Sequence, residues 1–196
     1  MRNCLVTAFA IMLLGLMTGC GQAVGFSANS LSDEQRWVAG QGGLANNRAV
    51  EHEVQAICAG LTGSCINSPI RAEVIHSGDV AAWSWPDGHI YVTTGLVTHL
   101  SSPQIAAAMA HEMGHLINDH HVATVAGLTG KPNGTLGREA AADRTGCHVL
   151  LRHGIPAAEM ITMLRIVARF QPCAVQANIA RRITLLERRY VLRPPH

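Results

Sequence analysis

The 196-residue sequence has few charged side chains, and lysine is nearly absent. Lys131 is the only lysine, and the other 14 basic residues are arginines. The 15 basic and 13 acidic residues almost cancel, so the formal net charge is only +2 at pH 7. Proteins that bind nucleic acid through its phosphates need a strongly basic surface. The composition therefore predicts no nucleic-acid partner. The arginine-rich C-terminal segment has apolar residues at helical spacing and is predicted to be an amphipathic helix.

The sequence also lacks the run of about 20 apolar residues that a membrane-spanning helix needs. Its longest apolar stretch, Leu5 to Met17, has 13 residues and follows the basic start Met1-Arg2-Asn3. A short basic segment followed by a short apolar run is typical of a signal peptide. We predict that residues 1–19 are a signal peptide.

The end of that run resembles the lipobox of bacterial lipoproteins, in the residues Leu16-Met17-Thr18-Gly19-Cys20. The resemblance implies that Cys20 is the lipidated first residue of the mature protein. Residues 20–32 are rich in Gly, Ser, Ala and Asn and are predicted to form a tether to one domain, residues 33–196. Gly21 after the cysteine favours the outer membrane by the same resemblance. We expect a lipid-anchored protein of the cell envelope that faces the periplasm.

Four cysteines remain after Cys4 and Cys20 are set aside: Cys58, Cys65, Cys147 and Cys173. An even number of cysteines in an exported protein indicates disulfides. Of the three ways to pair them, the most local is Cys58–Cys65 with Cys147–Cys173. A metal-binding role for Cys147 is the less favoured alternative, because thiolate ligands belong mainly to closed zinc sites.

The segment His111-Glu112-Met113-Gly114-His115 carries the strongest chemical signal. Residues four apart on an α-helix lie about 40° apart around the axis and one turn apart along it, so both imidazoles can reach one ion. Glu112 projects about 100° away, near the ion without having to bind it. This is the zinc-hydrolase pattern H-E-x-x-H. We predict His111 and His115 as zinc ligands and Glu112 as the general base.

The residues ahead of this motif predict the helix that its spacing requires. Ser101-Ser102-Pro103 is a helix start, with a serine N-cap and a proline whose missing N–H costs nothing in the first turn. Good helix formers then run from Ile105 to Ala110. The alternative is an exposed helix whose histidines have no function, and the continuous helical context favours the metal site.

A catalytic zinc site needs a third protein ligand and one open position. Glu139 and Asp143 are four residues apart in a second predicted helix that ends at Gly154, so one carboxylate can bind zinc while the other accepts a hydrogen bond from a ligand imidazole. His121 is the alternative, at the spacing of H-E-x-x-H-x-x-G-x-x-H, although Asn118 replaces the glycine of that pattern. We prefer Glu139 because it comes with a partner carboxylate.

Together these motifs resemble the family-48 gluzincin metallopeptidases, which include HtpX, BepA and the CAAX prenyl protease. The resemblance covers roughly residues 70 to 170. It rests on three segments: Pro86 to Leu96, Ala110 to His115, and Glu139 to Arg144.

The family resemblance implies a set of site residues. One zinc ion per chain would be held by His111, His115 and Glu139, with Glu112 as general base and Asp143 orienting a ligand histidine. The group that stabilises the transition-state oxyanion is left open, with three candidates: His153, Arg181 and Arg182.

The remaining patterns predict the fold class. Strands are expected at 71–77, 80–85 and 89–93, the last two joined by a hairpin turn at Pro86-Asp87-Gly88. Helices are expected at 32–59 with a break near residues 40–43, at 96–100 and at 156–170. The result is an α+β, zincin-like fold, mostly helical, with a small antiparallel or mixed sheet edging the cleft. Trp83 and Trp85 share a strand face and either flank this cleft or pack in the core.

The sequence thus favours a zinc-dependent endopeptidase that acts on extended or misfolded envelope proteins and meets the membrane through its N-terminal lipid. The main alternative is a non-catalytic, zinc-containing lipoprotein that acts as a chaperone-like or binding module. The 11 histidines also suggest a metal-binding lipoprotein as a further alternative.

Overall fold

The structure is a computed structural model that describes residues 32–62, 70–118 and 134–192, without the side chains of residues 134 and 135. From Ser32 onward, the described residues form one compact unit. The predicted signal peptide and the lipidation site Cys20 lie outside the described residues. So do Cys65 and His121.

Within the described ranges the chain forms seven helices and three strands. The helices are α1 (Asp33–Gly40), α2 (Arg48–Thr62), α3 (Thr94–His99), α4 (Ser102–Ile117), α5 (Gly134–Arg152), α6 (Ala158–Ala168) and α7 (Cys173–Tyr190). The strands are β1 (Arg71–Ile75), β2 (Ala82–Ser84) and β3 (His89–Thr93). None of these helices has both the length and the apolar composition needed to cross a bilayer.

The sheet has the strand order β1-β3-β2 and is mixed. β1 runs parallel to β3, whereas β2 pairs with β3 in the antiparallel sense, with Trp83 opposite Tyr91. The predicted hairpin is confirmed: Trp85 donates its N–H to the His89 carbonyl at 2.7 Å, and Gly88 takes a φ of 98° in the turn. β2 therefore forms an edge of the described sheet.

The predicted N-terminal helix is broken into α1 and α2, as its glycines indicated. Gly42 and Gly43 have φ values of 118° and 77°, which L side chains rarely adopt. A Cβ on Gly42 would also lie only 2.2 Å from the His76 carbonyl oxygen. The chain can turn there and run beside β1, because only glycine fits this approach.

Helix α4 is the centre of the domain. Every residue from Ile105 to Gly114 is buried, and α4 packs against α2, β2, β3, α5 and α6. A helix that is apolar nearly all round is stable only when other elements cover all its faces. The polar residues of its second half are consequently held in a rigid setting. The mostly helical domain with its small mixed sheet confirms the α+β, zincin-like fold.

The predicted Cys147–Cys173 disulfide is not formed, because both residues are free thiols in the structure. Cys147 is fully buried on α5, whereas Cys173 is exposed at the first residue of α7. Burial raises the pKa of Cys147 to about 12, so it stays an unreactive thiol. The short sequence separation between the two cysteines did not show that the Cys147 side chain points from α5 into the core. Cys58 is also free and buried, and its proposed partner Cys65 lies outside the described residues.

Candidate active site

The two histidines of the motif converge at the C-terminal half of α4. Their Nε2 atoms lie 3.1 Å apart, and the two rings are perpendicular with centroids 4.7 Å apart. His111 is buried and His115 is partly buried. The i, i+4 spacing thus directs both nitrogens at one point, as the sequence predicted.

Glu139 reaches the same point from α5. Its Oε2 lies 3.4 Å from His111 Nε2, and its Oε1 lies 3.4 Å from His115 Nε2. Nitrogen and oxygen ligands placed tetrahedrally at about 2.0–2.2 Å from a zinc ion are about 3.4 Å from one another. The distances among these three side chains therefore fit a zinc site with a fourth position left open.

Asp143 lies behind His111, one helical turn after Glu139. Its Oδ1 is 2.9 Å from His111 Nδ1, and its side chain is only 1% exposed. A carboxylate that accepts the Nδ1–H of an imidazole fixes the ring and leaves Nε2 as the ligand atom. The structure brings Asp143 to the position that the sequence prediction gave it.

Arg182 of α7 joins the two carboxylates of α5. Its Nε and Nη2 atoms donate to the two Asp143 oxygens at 2.7 Å each, and its Nη1 is 3.0 Å from Glu139 Oε2. Such a planar, two-pronged contact is the strongest form of arginine–carboxylate pairing. Arg182 is buried, and its contacts hold α7 against α5, the helix that carries Glu139 and Asp143.

Of the three candidates for the oxyanion group, the structure places only Arg182 in the site cavity. Arg181 is exposed on α7. His153 lines a different cavity, near the start of α4 with Ser102 and Pro103. Arg182 is already bound to Asp143 and Glu139, so its geometry is that of a residue that positions the ligands.

The charges of these side chains are strongly coupled in the metal-free protein. Burial raises the pKa of Glu139 and of Asp143, but the hydrogen bonds and positive charges of His111 and Arg182 outweigh it and lower each pKa to about 2. Burial lowers the pKa of His111, and its hydrogen bonds to Asp143 and Glu139 outweigh this and raise it to about 10. Both carboxylates are ionised at neutral pH and supply the negative charge that a divalent cation requires.

Glu112 lies on the other side of the imidazole pair, facing the sheet. Its Oε2 accepts a hydrogen bond from Ser84 Oγ of β2 at 2.8 Å. Burial raises the pKa of Glu112, while the His111 charge and the Ser84 hydrogen bond oppose that rise. A buried carboxylate with a raised pKa beside a metal site is suited to take and return a proton.

Two carboxylates therefore face the histidines, and the structure separates their roles. Ligand atoms of His111, Glu112 and His115 lie within 4.8 Å of one another, so Glu112 is an alternative third ligand. Glu139 is the better one because both its oxygens face an imidazole nitrogen at 3.4 Å. Glu112 is instead held towards β2 by Ser84. No sequence pattern pointed to Ser84, which becomes a neighbour of Glu112 only through the fold.

A cavity of about 450 Å³ opens beside these residues, between β2, α4, α6 and α7. Trp83 contributes to its wall, and both Trp83 and Trp85 also pack against Trp37 with ring centroids 5.2 Å away. The two alternatives left open for these tryptophans are thus both met in part: they form a small half-buried aromatic cluster at the cleft edge.

Two glycines let α4 and α5 approach closely enough to assemble the site. A Cβ on Gly114 would lie 2.4 Å from the Ala142 carbonyl oxygen, and one on Gly146 would lie 2.8 Å from the Ala110 carbonyl oxygen. These are backbone atoms, so a larger residue would push the helices apart and move Glu139 away from the histidines. The sequence analysis missed this role. The available signal was glycine inside two helices, where it costs about 1 kcal/mol relative to alanine.

The comparison with protein families agrees with this geometry. The family described as Peptidase family M48 matches residues 45–137, which include the whole of α4 with His111, Glu112 and His115. Over these residues, a little under half of the chain, the sequence is similar to peptidase family M48. The chain thus resembles a metallopeptidase family over this part, and the matched residues include a His/Glu/His group able to hold a metal. The match ends before Glu139, Asp143 and Arg182, whose place in the site rests on the distances above. A comparison with curated proteins found no match.

Proposed function

We propose that this protein is a zinc-dependent endopeptidase of family M48 that hydrolyses peptide bonds of extended or misfolded polypeptides. The observation that carries the proposal is the set of donor atoms from His111, His115 and Glu139 at 3.1–3.4 Å from one another, with buried Glu112 beside them. This set leaves room for a fourth ligand, as catalytic zinc sites do.

The residues around this set divide the chemistry between them. A zinc ion held there supplies Lewis acidity, which lowers the pKa of water from 15.7 towards about 7 and polarises a carbonyl group. Glu112 takes the proton of the attacking water and returns it to the leaving amine nitrogen. Ser84 holds Oε2 of Glu112, which leaves Oε1 as the atom for that proton. Asp143 holds the Nδ1 proton of His111 throughout.

An extended substrate suits the position of β2. This strand is an edge of the described sheet, and Ala82, Trp83 and Ser84 all line the site cavity. A polypeptide in extended conformation can add to such an edge through main-chain hydrogen bonds. An unfolded segment can adopt the extended conformation and enter the cleft, so unfolded segments are the expected substrates.

The metal itself provides the first test. We expect one zinc ion per chain by elemental analysis, loss of cleavage of an unfolded polypeptide after treatment with a chelator, and recovery when one equivalent of zinc is added. Zinc-loaded protein that leaves unfolded polypeptide intact would contradict the proposed activity. Several metal ions per chain would instead support the alternative of a metal-binding lipoprotein.

The same analysis separates the two third-ligand hypotheses. Glu139→Gln removes a charged ligand that faces both imidazoles, and we expect at least a tenfold fall in zinc affinity. His121→Ala is the matched control and is expected to retain wild-type zinc content. The opposite result, with zinc lost only in His121→Ala, would overturn the assignment of Glu139.

For the location of the enzyme we propose attachment to the envelope through a lipid on Cys20, facing the periplasm. The support is the sequence alone: the apolar run that lies just ahead of this cysteine and the polar tether that follows it. In a bacterial host, incorporation of labelled fatty acid is expected in the wild-type protein and not in Cys20→Ser. Equal labelling of both would refute the attachment site.

A further inference from the structure

We infer that Glu34, Asp87 and His89 form a second metal site, which binds a divalent transition-metal ion beside the hairpin of β2 and β3. One ligand atom from each residue lies within 4.8 Å of those of the other two. The group combines an imidazole nitrogen with two carboxylate oxygens, which distinguishes it from a purely acidic surface cluster. None of the three residues lines the cavity of the candidate active site, so the inference goes beyond the proposed function.

Three segments of the chain meet at this group. Glu34 lies in the first turn of α1, Asp87 in the turn between β2 and β3, and His89 at the start of β3. His89 and Tyr91 are two residues apart on β3 and project from the same face of the sheet. Trp37, one helical turn after Glu34, packs against Tyr91 with ring centroids 5.5 Å apart. This aromatic contact holds α1 over the sheet face, so that Glu34 reaches His89.

Three groups with lone pairs point at one position beside the His89 ring. The Nδ1 atom of His89 lies 2.9 Å from Glu34 Oε1 and 3.0 Å from Asp87 Oδ2. If Nδ1 carried no proton, its lone pair would face two negatively charged oxygens. A cation is therefore required between these atoms, either a proton on Nδ1 or a metal ion that replaces this proton. Among the described residues, no arginine pairs with either carboxylate to supply that charge.

Each carboxylate is oriented by a hydrogen-bond donor of its own. The Tyr91 hydroxyl donates to Glu34 Oε1 at 2.7 Å, and the His89 backbone N–H donates to Asp87 Oδ1 at 3.1 Å. Burial, the hydrogen bond to Glu34 and the nearby negative charges raise the pKa of Tyr91, so its hydroxyl stays protonated and remains a donor. Hydrogen bonds of this kind fix the orientation of metal ligands and increase metal affinity.

The donor atoms and their spacing decide which ion fits. Two ligand atoms at right angles around an ion, with bonds of about 2.1 Å, lie about 3.0 Å from one another. The two distances at His89 Nδ1 match this octahedral arrangement. Magnesium and calcium prefer oxygen ligands alone, whereas nickel and manganese ions accept nitrogen and oxygen together. The side chain of Asp87 is 49% exposed, so water can occupy the remaining coordination positions.

This second site is expected to hold its ion more weakly than the active site holds zinc. The side chains of Glu34, His89 and Asp87 are 18%, 22% and 49% exposed. Charged ligands that are open to water attract a cation less strongly than buried ones. Zinc-loaded protein from which excess metal has been removed should thus contain one ion. The second site should fill only when a further transition metal is added.

The test is a calorimetric titration of the zinc-loaded protein with nickel chloride. We expect one nickel ion to bind per chain while elemental analysis of the same sample shows unchanged zinc. Titration with magnesium chloride should show no binding. The three tryptophans of the chain, Trp37, Trp83 and Trp85, lie in one cluster next to Tyr91. Quenching of their fluorescence by the paramagnetic nickel ion therefore provides a second readout.

Four variants locate the bound ion. Asp87→Asn keeps the acceptor for the His89 N–H but removes a charged ligand, and His89→Asn removes the nitrogen ligand. Each should weaken nickel binding at least about tenfold. Tyr91→Phe removes only the donor that orients Glu34 and should weaken binding about tenfold. His76→Asn changes an exposed histidine outside the group and is the matched control, with wild-type binding expected. Melting temperatures confirm that each variant is folded.

The outcomes separate a metal site from a network of ion pairs. Nickel binding that is weakened in Asp87→Asn and His89→Asn but retained in His76→Asn supports the second site, whether or not the wild type cleaves polypeptides. Absence of nickel binding by the wild type, or full binding by Asp87→Asn and His89→Asn, overturns it. Binding that is lost in His115→Ala instead would place the nickel ion in the active site, which also overturns the inference.

Discussion

Replacing Glu112 with glutamine is expected to lower the rate of peptide hydrolysis by about 10²–10⁴-fold while zinc content is retained. The amide has nearly the shape of the carboxylate and can keep the contact with Ser84 Oγ, but it cannot accept the proton of the attacking water. The metal site should persist, because the substitution leaves the proposed ligands His111, His115 and Glu139 unchanged. Ser84 holds the residue at position 112 in place. Initial rates on an unfolded polypeptide and elemental analysis of the same samples measure both quantities.

The control for this experiment is Glu159→Gln, which makes the same change at the first turn of α6, outside the cavity wall. It should leave the rate unaltered. The result also decides between the enzyme and the non-catalytic, chaperone-like alternative. If Glu112→Gln still prevents aggregation of unfolded clients in the cell envelope as well as wild type does, and neither protein cleaves them, the alternative is correct.

Of the substitutions proposed here, Arg182→Met is expected to lower the free energy of unfolding most, by about 3–5 kcal/mol in the metal-free protein. Methionine keeps the apolar stem of the side chain but removes the guanidinium that contacts Asp143 and Glu139. Two largely buried carboxylates then keep the imidazoles of His111 and His115 as partners but lose the cation that contacts both of them. Urea unfolding of chelator-treated protein, followed by circular dichroism, measures the difference.

The pH dependence of this loss follows from the carboxylate pKa values. Folding lowers the pKa of Asp143 from 3.8 and that of Glu139 from 4.5, in each case to about 2. A lowered folded-state pKa contributes stability above the unfolded value, and that contribution is lost as the pH falls through the folded value. The difference between wild type and Arg182→Met should therefore be full above about pH 4.5 and shrink towards pH 2.

Arg181→Met is the matched control, since Arg181 is the preceding residue and is exposed on the same helix. Substitutions at exposed positions usually change stability by less than about 0.5 kcal/mol. An equal loss in both variants would mean that arginine on α7 stabilises the helix in general. It would then rule out a specific role for the Arg182 contacts.

Local patterns along the chain were sufficient to predict the order of the helices and strands. They also predicted the site residues of α4, which are His111, Glu112 and His115. The predicted β3 and the start of α4 agree with the structure, because turn and capping residues mark their ends. Some boundaries were wrong: α2, for example, continues to Thr62, beyond the predicted Ala59. Helix ends of this kind depend on neighbouring packing that no local pattern contains.

Contacts between residues that are distant in the sequence were harder to predict. Glu139 and Asp143 were identified because their own spacing and the upstream motif pointed to them, and the structure places both beside His111. Arg182 was only one of three candidates for another role. The Cys147–Cys173 disulfide was predicted from closeness along the chain and is not formed. To predict the Arg182 contacts and the burial of Cys147, one must know which residues of α5 face the core and which face α7.

What the sequence determined by itself is the shape of α4 and its chemistry, since a repeat of 3.6 residues per turn fixes how His111 and His115 converge without help from the rest of the chain. The tertiary structure decided which side chains complete the site. Arg182 behind the ligands and Ser84 on the general base come from separate elements that meet only when α4 is covered on all sides. Their contacts depend on distances between elements, to which Gly114 and Gly146 contribute by allowing the close approach of α4 and α5.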